Sequence, residues 1–152
     1  MNILKKIYCR IFQKAFKIAI PFLPYRKPRQ LDSNEELVHI LNRKNISCVM
    51  IITDASVRLL GLTKGLEQCL NNEKISYVIY DKTVANPTTV NVEEARNLYL
   101  EKKCQALIGF GGGSSIDCAK AVGARIVKPK KSLAKMEGLL RICKRLPLLI
   151  AI

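Results

Sequence analysis

Residues 107–120 read LIGFGGGSSIDCAK. An apolar strand, Ala106 to Phe110, runs into three consecutive glycines and then into an amphipathic segment. Glycine tolerates positive φ and lets a ligand approach the backbone, while a helix start offers unpaired N–H groups and the positive end of a dipole to an anion. A strand, a glycine turn and a helix in this order form a candidate phosphate cradle. Ser114 followed by Asp117 is a capping-box pattern, which predicts a helix beginning at Ser114. Taken alone, the turn reads equally as a strand-to-helix connection without a ligand.

Outward from this turn the chain alternates between the two periodicities. Helical spacing at about 34–44 precedes the apolar strand Cys48 to Thr53, and a helix at about 56–72 precedes the strand Ser76 to Tyr80. A loop containing Asn86-Pro87-Thr88 leads to a helix at about 92–103, then to the strand at 106–110 and a helix from Ser114 to about Ala124. A connection rich in Lys and Pro, a short helix around 132–139 and an apolar run, Leu148 to Ile152, follow. Continuous apolar strands separated by helices indicate an α/β fold with a parallel sheet covered on both faces. The last strand stops without a loop, cap or polar tail, so the domain is expected to be cut short.

The chain has 152 residues, 49% of them apolar, enough for one ordinary core. Its net charge of +14 belongs to the ends. Residues 1–30 carry eight Lys or Arg and no acid, and residues 121–152 carry eight against Glu137 alone. Residues 3–20 place Ile3, Leu4, Ile7, Ile11, Phe12 and Phe16 on one helical face with Lys5, Lys6, Arg10, Lys14 and Lys17 opposite, and Pro21 and Pro24 end the pattern. Two units are therefore expected: a basic amphipathic helix and linker over 1–30, and an α/β domain over 31–152. The helix suits packing on other protein or peripheral contact of residues 1–20 with an anionic membrane, packing being favoured. No nucleic-acid partner is expected. Six cysteines without a CxxC pair read as buried reduced thiols, Cys48, Cys69 and Cys118 lying in apolar contexts. With no secretory leader pattern and no apolar run near 20 residues, the expected location is cytoplasmic.

In parallel α/β folds ligands bind beyond the carboxyl ends of the strands, where Asp54, the Asn86 loop and the glycine turn all fall. Asp54 reads in two ways: as an acceptor for a ribose diol that repels a 2′-phosphate, or as the N-cap of the next helix. The ordinary Rossmann fingerprint fails because Ser114 stands where its last glycine belongs and the acid precedes the glycines. A Walker motif fails because no Gly-Lys-Ser/Thr follows.

Ile52-Thr53-Asp54, Ala85-Asn86-Pro87-Thr88 and GGGSSIDCAK at 111–120 resemble, in order and approximate spacing, the N-terminal nucleotide-binding half of the iron-containing, or group III, alcohol dehydrogenases. Glycerol dehydrogenases and dehydroquinate synthases have a related glycine triplet, but Ser114 and Ala119-Lys120 fit the alcohol dehydrogenases better. The resemblance spans about 32–152 and implies a Rossmann-like, dehydroquinate synthase-like N-terminal domain. It also implies that Gly112, Gly113 and Ser114 contact the pyrophosphate of NAD, Asp54 the adenosine ribose, and Asn86 the cofactor near the substrate side. Asp117 joins these by motif position, although its simplest physical role is helix capping, and that of Lys120 is a surface charge.

In that family a Pro-Thr-Thr segment follows a strand like Leu148 to Ile152, and a helical C-terminal domain supplies an Asp and three His to a divalent metal, iron or zinc. Neither is found here, and His39 is the one histidine. The resemblance therefore implies the N-terminal part of an NAD-dependent dehydrogenase acting on an alcohol or aldehyde. The complete enzyme is expected to be a homo-oligomer, and the 152-residue chain is expected to be inactive alone. The alternatives are a non-catalytic dinucleotide-binding fragment and a basic module for membranes or nucleic acid.

Overall fold

A computed structural model describes residues 10–15, 17, 31, 33–136, 138, 141–142 and 144–152. Two compact units emerge, Met1–Leu31 and Asp32–Ile152. In the first, Arg10 to Ala15 and Lys17 are helical, with Ile11 and Phe12 exposed. The remainder of the helix expected over 3–20, and the proline segment after it, lie outside the described residues. Among the described residues no helix is long and apolar enough to cross a membrane.

In the second unit, α1 (Asn34–Arg43) starts at Ser33, whose hydroxyl accepts from the Glu36 amide at 3.2 Å. Glu35 and Glu36 in its first turn and Arg43 in its last complement the helix dipole. Strand β1 (Cys48–Ile52) follows, then α2 (Ala55–Leu59), α3 (Lys64–Asn72) and β2 (Ser76–Tyr80). Next come α4 (Thr89–Glu101), β3 (Ala106–Gly109), α5 (Gly113–Val127), a 3₁₀ turn at Leu133–Met136 and β4 (Leu148–Ala151). All strand pairs are parallel, in the order β2-β1-β3-β4. From β1 the chain steps outward to β2 and then returns across β1 to β3. The reversal of winding therefore falls between β1 and β3, where their carboxyl ends diverge to opposite connections and leave a crevice.

The central strands β1 and β3 are apolar throughout because helices cover both faces. Met50, Ile52 and Leu107 face a core completed by Tyr80, Val92, Ala95, Tyr99, Cys118, Ala119 and Val122. Their alternates Val49, Ile51 and Ile108 point the other way, where the buried Leu37, Leu41, Leu66 and Leu70 of α1 and α3 close the second face.

Several boundaries differ from the sequence reading. The single helix expected over 56–72 is two, because Gly61 turns left-handed at φ 68° and ends the first. Helix α4 begins at Thr89 instead of 92, because Thr88 and Asn91 form a capping box. The helix at the glycine turn begins at Gly113, with Gly112 as N-cap and no side-chain cap, so Ser114 is inside the helix and Asp117 does not cap it. Of the short helix expected over 132–139, Leu133–Met136 form the 3₁₀ turn, and residues 137 and 139 lie outside the described residues. Among the described cysteines all are free, but Cys48 and Cys69 are only partly covered, whereas Cys104 joins Cys118 in the core.

The basic connection after α5 is held by Arg125. Its Nε and Nη2 donate to the two carboxylate oxygens of Glu93 on α4, the second at 3.2 Å. Its Nη1 donates to the carbonyls of Lys128 and Pro129, each at 3.0 Å, and to that of Lys131. A forked guanidinium so used fastens α4, α5 and the following turn together. The hydrogen bonds from Arg125 hold the Glu93 carboxyl below the usual range, against the opposing effect of burial. A depressed carboxylate pKa contributes stability above its unfolded value of 4.5 that is lost as pH falls through the folded one. Glu93→Gln should therefore cost about 1–2 kcal/mol at neutral pH, between the ranges for exposed and buried pairs. The variant should also lose less stability than the parent on acidification, as measured by urea denaturation at neutral and acidic pH.

Candidate dinucleotide site

Two connections meet in the β1/β3 crevice. Asp54 caps α2, its Oδ1 accepting from the Val57 amide at 3.0 Å. Its other oxygen faces the glycine turn: a methyl placed on Gly111 would lie 3.8 Å from Asp54 Oδ2 and 3.2 Å from Val57 Cγ2. Both sequence-level roles of Asp54 are thus physically open at once, one oxygen for the helix and one for the crevice.

The glycines divide the work. Gly111 has φ 113°, which L side chains rarely adopt. Gly109 sits under α5, where an added Cβ would meet Ile116 Cα at 3.0 Å and Ala119 Cβ at 3.3 Å. Gly112 and Gly113 are exposed, and a Cβ on either would meet nothing within 4 Å. The protein itself does not require glycine at 112 and 113; the space beside them is open to a ligand. Among the described residues the amides of Gly112, Gly113 and Ser114 find no acceptor, whereas the Gly111 amide bonds the Ile152 carbonyl at 2.8 Å. Free amides at the start of the 15-residue α5 form a nest for an anion.

Two buried hydroxyls near the turn are unsatisfied. Thr53 Oγ1, between β1 and Asp54, and Ser115 Oγ, in the first turn of α5, have no hydrogen-bond partner among the described residues. Ser115 Oγ lies 3.7 Å from the same point beside Gly111 that Asp54 Oδ2 approaches. A buried hydroxyl left unpaired is costly, and such groups mark places where water or ligand belongs. The sequence reading passed over both, since a Thr at a strand end and a second Ser in a helix carry no signal until the fold buries them.

Asn86 lies on the same side of the sheet but one strand further out, in the exposed loop after β2, with φ 57°. Asp117 stands apart: it pairs with Lys120 at 3.0 Å on the exposed face of α5. Tyr80, at the end of β2, is pushed up to about 12 by burial, with Asn91 opposing and Glu94 adding to the shift, so its hydroxyl stays protonated. Burial likewise raises the Cys118 thiol, partly offset by the Thr83 hydroxyl beside it.

A family model described as iron-containing alcohol dehydrogenase matches residues 29–152. The chain belongs to that family. Alcohol dehydrogenase 4 of Saccharomyces cerevisiae is 31% identical over 88 residues, 58% of this chain and 23% of the relative. The structure of an alcohol dehydrogenase from Oenococcus oeni superposes with a TM-score of 0.71 at 25% identity, covering 78% of this chain and 31% of that one. An NADH-dependent butanol dehydrogenase A from Thermotoga maritima shares the fold, with a TM-score of 0.71 at 23% identity over 85% of this chain and 33% of its own. The chain thus spans about a quarter to a third of the length of these proteins.

The two classes of glycine should separate on substitution. Gly109→Ala forces Cβ against helix backbone and should destabilise the fold by about 1–3 kcal/mol. Gly113→Ala meets no atom and lies in a helix, so its stability should equal or slightly exceed the parent's. Thermal denaturation of both variants checks this; equal destabilisation would contradict the division.

Proposed function

We propose that this chain forms the NAD-binding part of a metal-dependent alcohol dehydrogenase, in which hydride passes between an alcohol or aldehyde and nicotinamide. The observation that supports this reading most is the convergence of Asp54 and the Gly111–Ser114 turn at the winding reversal between β1 and β3. The residues suit a dinucleotide. Open space beside Gly112 and Gly113 admits a pyrophosphate that any side chain there would crowd. The amides of Gly113 and Ser114, with the positive end of α5, would donate to phosphate oxygens. Thr53 and Ser115 offer hydroxyls that water or ligand would satisfy.

Bound NAD supplies the two-electron acceptor, and this chain's contribution is binding and orientation. Asp54 Oδ2 would accept from ribose hydroxyls and repel a 2′-phosphate, while Oδ1 keeps α2 in place. Asn86, carried by the loop one strand beyond Asp54, would fall at the adenosine end of such a cofactor and not at the end nearer the substrate that the sequence suggested. Among the described residues no three His, Cys, Asp or Glu side chains gather as metal ligands. The divalent metal, iron or zinc, belongs to the proposed complete enzyme.

Calorimetric titration of the chain with NAD and NADP tests the reading. NAD should bind at least about tenfold more tightly, equivalent to roughly 1.4 kcal/mol. Asp54→Ser retains a capping oxygen and removes the charge, so it should narrow the preference while leaving the melting temperature nearly unchanged. Equal affinities in the unaltered chain would remove Asp54 from this role, and binding of neither cofactor would overturn the reading.

A further inference from the structure

The loop that carries Asn86 has little to hold its tip. Among the described residues Val84, Ala85 and Asn86 make no hydrogen bond, and all are exposed. The near end of the loop is tied to β1: the Thr53 amide donates to the Tyr80 carbonyl at 2.9 Å and the Thr83 amide to the Thr53 carbonyl at 3.3 Å. The remaining ties converge on one buried side chain, Asn91. Its Oδ1 accepts from the Thr88 amide and hydroxyl, each at 3.1 Å. Its Nδ2 donates to the Lys82 carbonyl at 3.0 Å and to Tyr80 Oη at 3.2 Å. The Thr88 amide can only donate and the Lys82 carbonyl can only accept, so the carboxamide has one possible orientation. Both of its lone pairs and both of its N–H groups are used. Tyr80 Oη, receiving from Asn91, donates onward to Glu94 Oε2 at 3.0 Å.

We propose that Asn91 is a positioning residue for the cofactor: it joins the two ends of loop 82–88 and thereby places Asn86, one strand beyond Asp54, at the adenosine end of a bound dinucleotide. The role rests on the dinucleotide reading above and adds a residue that touches no cofactor. Capping α4 needs only the acceptor of Asn91, which an Asp would supply equally well. The Nδ2 bonds to Lys82 and Tyr80 go beyond capping and serve the loop.

The two functions separate in Asn91→Asp, which keeps the acceptor for Thr88 but sets a carboxylate against the Lys82 carbonyl. Tyr80→Phe, which removes one Nδ2 partner and leaves the cap intact, is the milder second variant should the first fail to fold. Two readouts apply to the full chain. In amide hydrogen exchange, Asn91→Asp should speed exchange at 83–88 by about tenfold or more and leave β1 and β3 unchanged. In titrations, affinities for NAD and for ADP-ribose, which keeps the adenosine end, should fall together by about three- to tenfold. Asn86→Ala should show the same loss, with no further loss in the double variant. Unchanged loop exchange, or unchanged affinity for either ligand, would overturn the proposal. If the unaltered chain binds neither ligand, the dinucleotide reading fails, and the exchange measurement still decides whether Asn91 holds the loop.

Discussion

The close approach of α5 to β3 is the constraint on which the site depends. With only hydrogen at position 109, the helix backbone at Ile116 settles directly on the strand. That contact sets where the helix starts, and hence where the amides of Gly112 to Ser114 point. Bulk at 109 would lift the helix from the sheet and tilt the whole nest. The left-handed Gly111 then has only to turn the chain through the remaining angle, past the Asp54 carboxylate. Sterics inside the fold account for two glycines of the motif. Beside the other two no atom lies within 4 Å of an added Cβ among the described residues, which leaves room for a ligand.

In the proposed site, residues at the carboxyl edge of the sheet divide two tasks between different atoms. Asp54 gives one oxygen to α2 and turns the other toward the crevice. Asn91 caps α4 through its oxygen and closes the preceding loop through its nitrogen. Such doubling keeps the first contacts rigid, because an atom that addresses a ligand belongs to a side chain already fixed by the fold. It also explains why removal of a whole side chain confounds stability with binding, while a change that alters one atom separates them.

The order of elements, the parallel sheet and the glycine turn between β3 and α5 were legible in the sequence, because they rest on apolar runs and on a glycine triplet between a strand and a helix. Strand β2 fell on its expected residues, and β1, β3 and β4 each ended one residue short. Helix ends were less legible. Gly61 lies inside the helix expected over 56–72, but the chain uses it in the left-handed region to end α2. Ser114 matched a capping pattern, yet Gly112 takes the capping position because its extended backbone leads directly from the left-handed Gly111. The pairing of Asp54 with the glycine turn could be anticipated from both lying at strand ends. The orphaned hydroxyls of Thr53 and Ser115 could not, since their burial is a product of the folded packing around a strand end and a helix start.

The central claim is that the glycine turn and Asp54 form one dinucleotide site. Amide NMR spectra of the ¹⁵N-labelled 152-residue chain, recorded as NAD is added, test it most directly. The account predicts that the largest shifts fall on Gly111, Gly112, Gly113 and Ser114, with a second group at Asp54 and Ala55. Shifts that gather instead in the groove between α1 and α3, lined by Glu35, His39, Cys69 and Glu73, with the glycine amides unmoved, would contradict it.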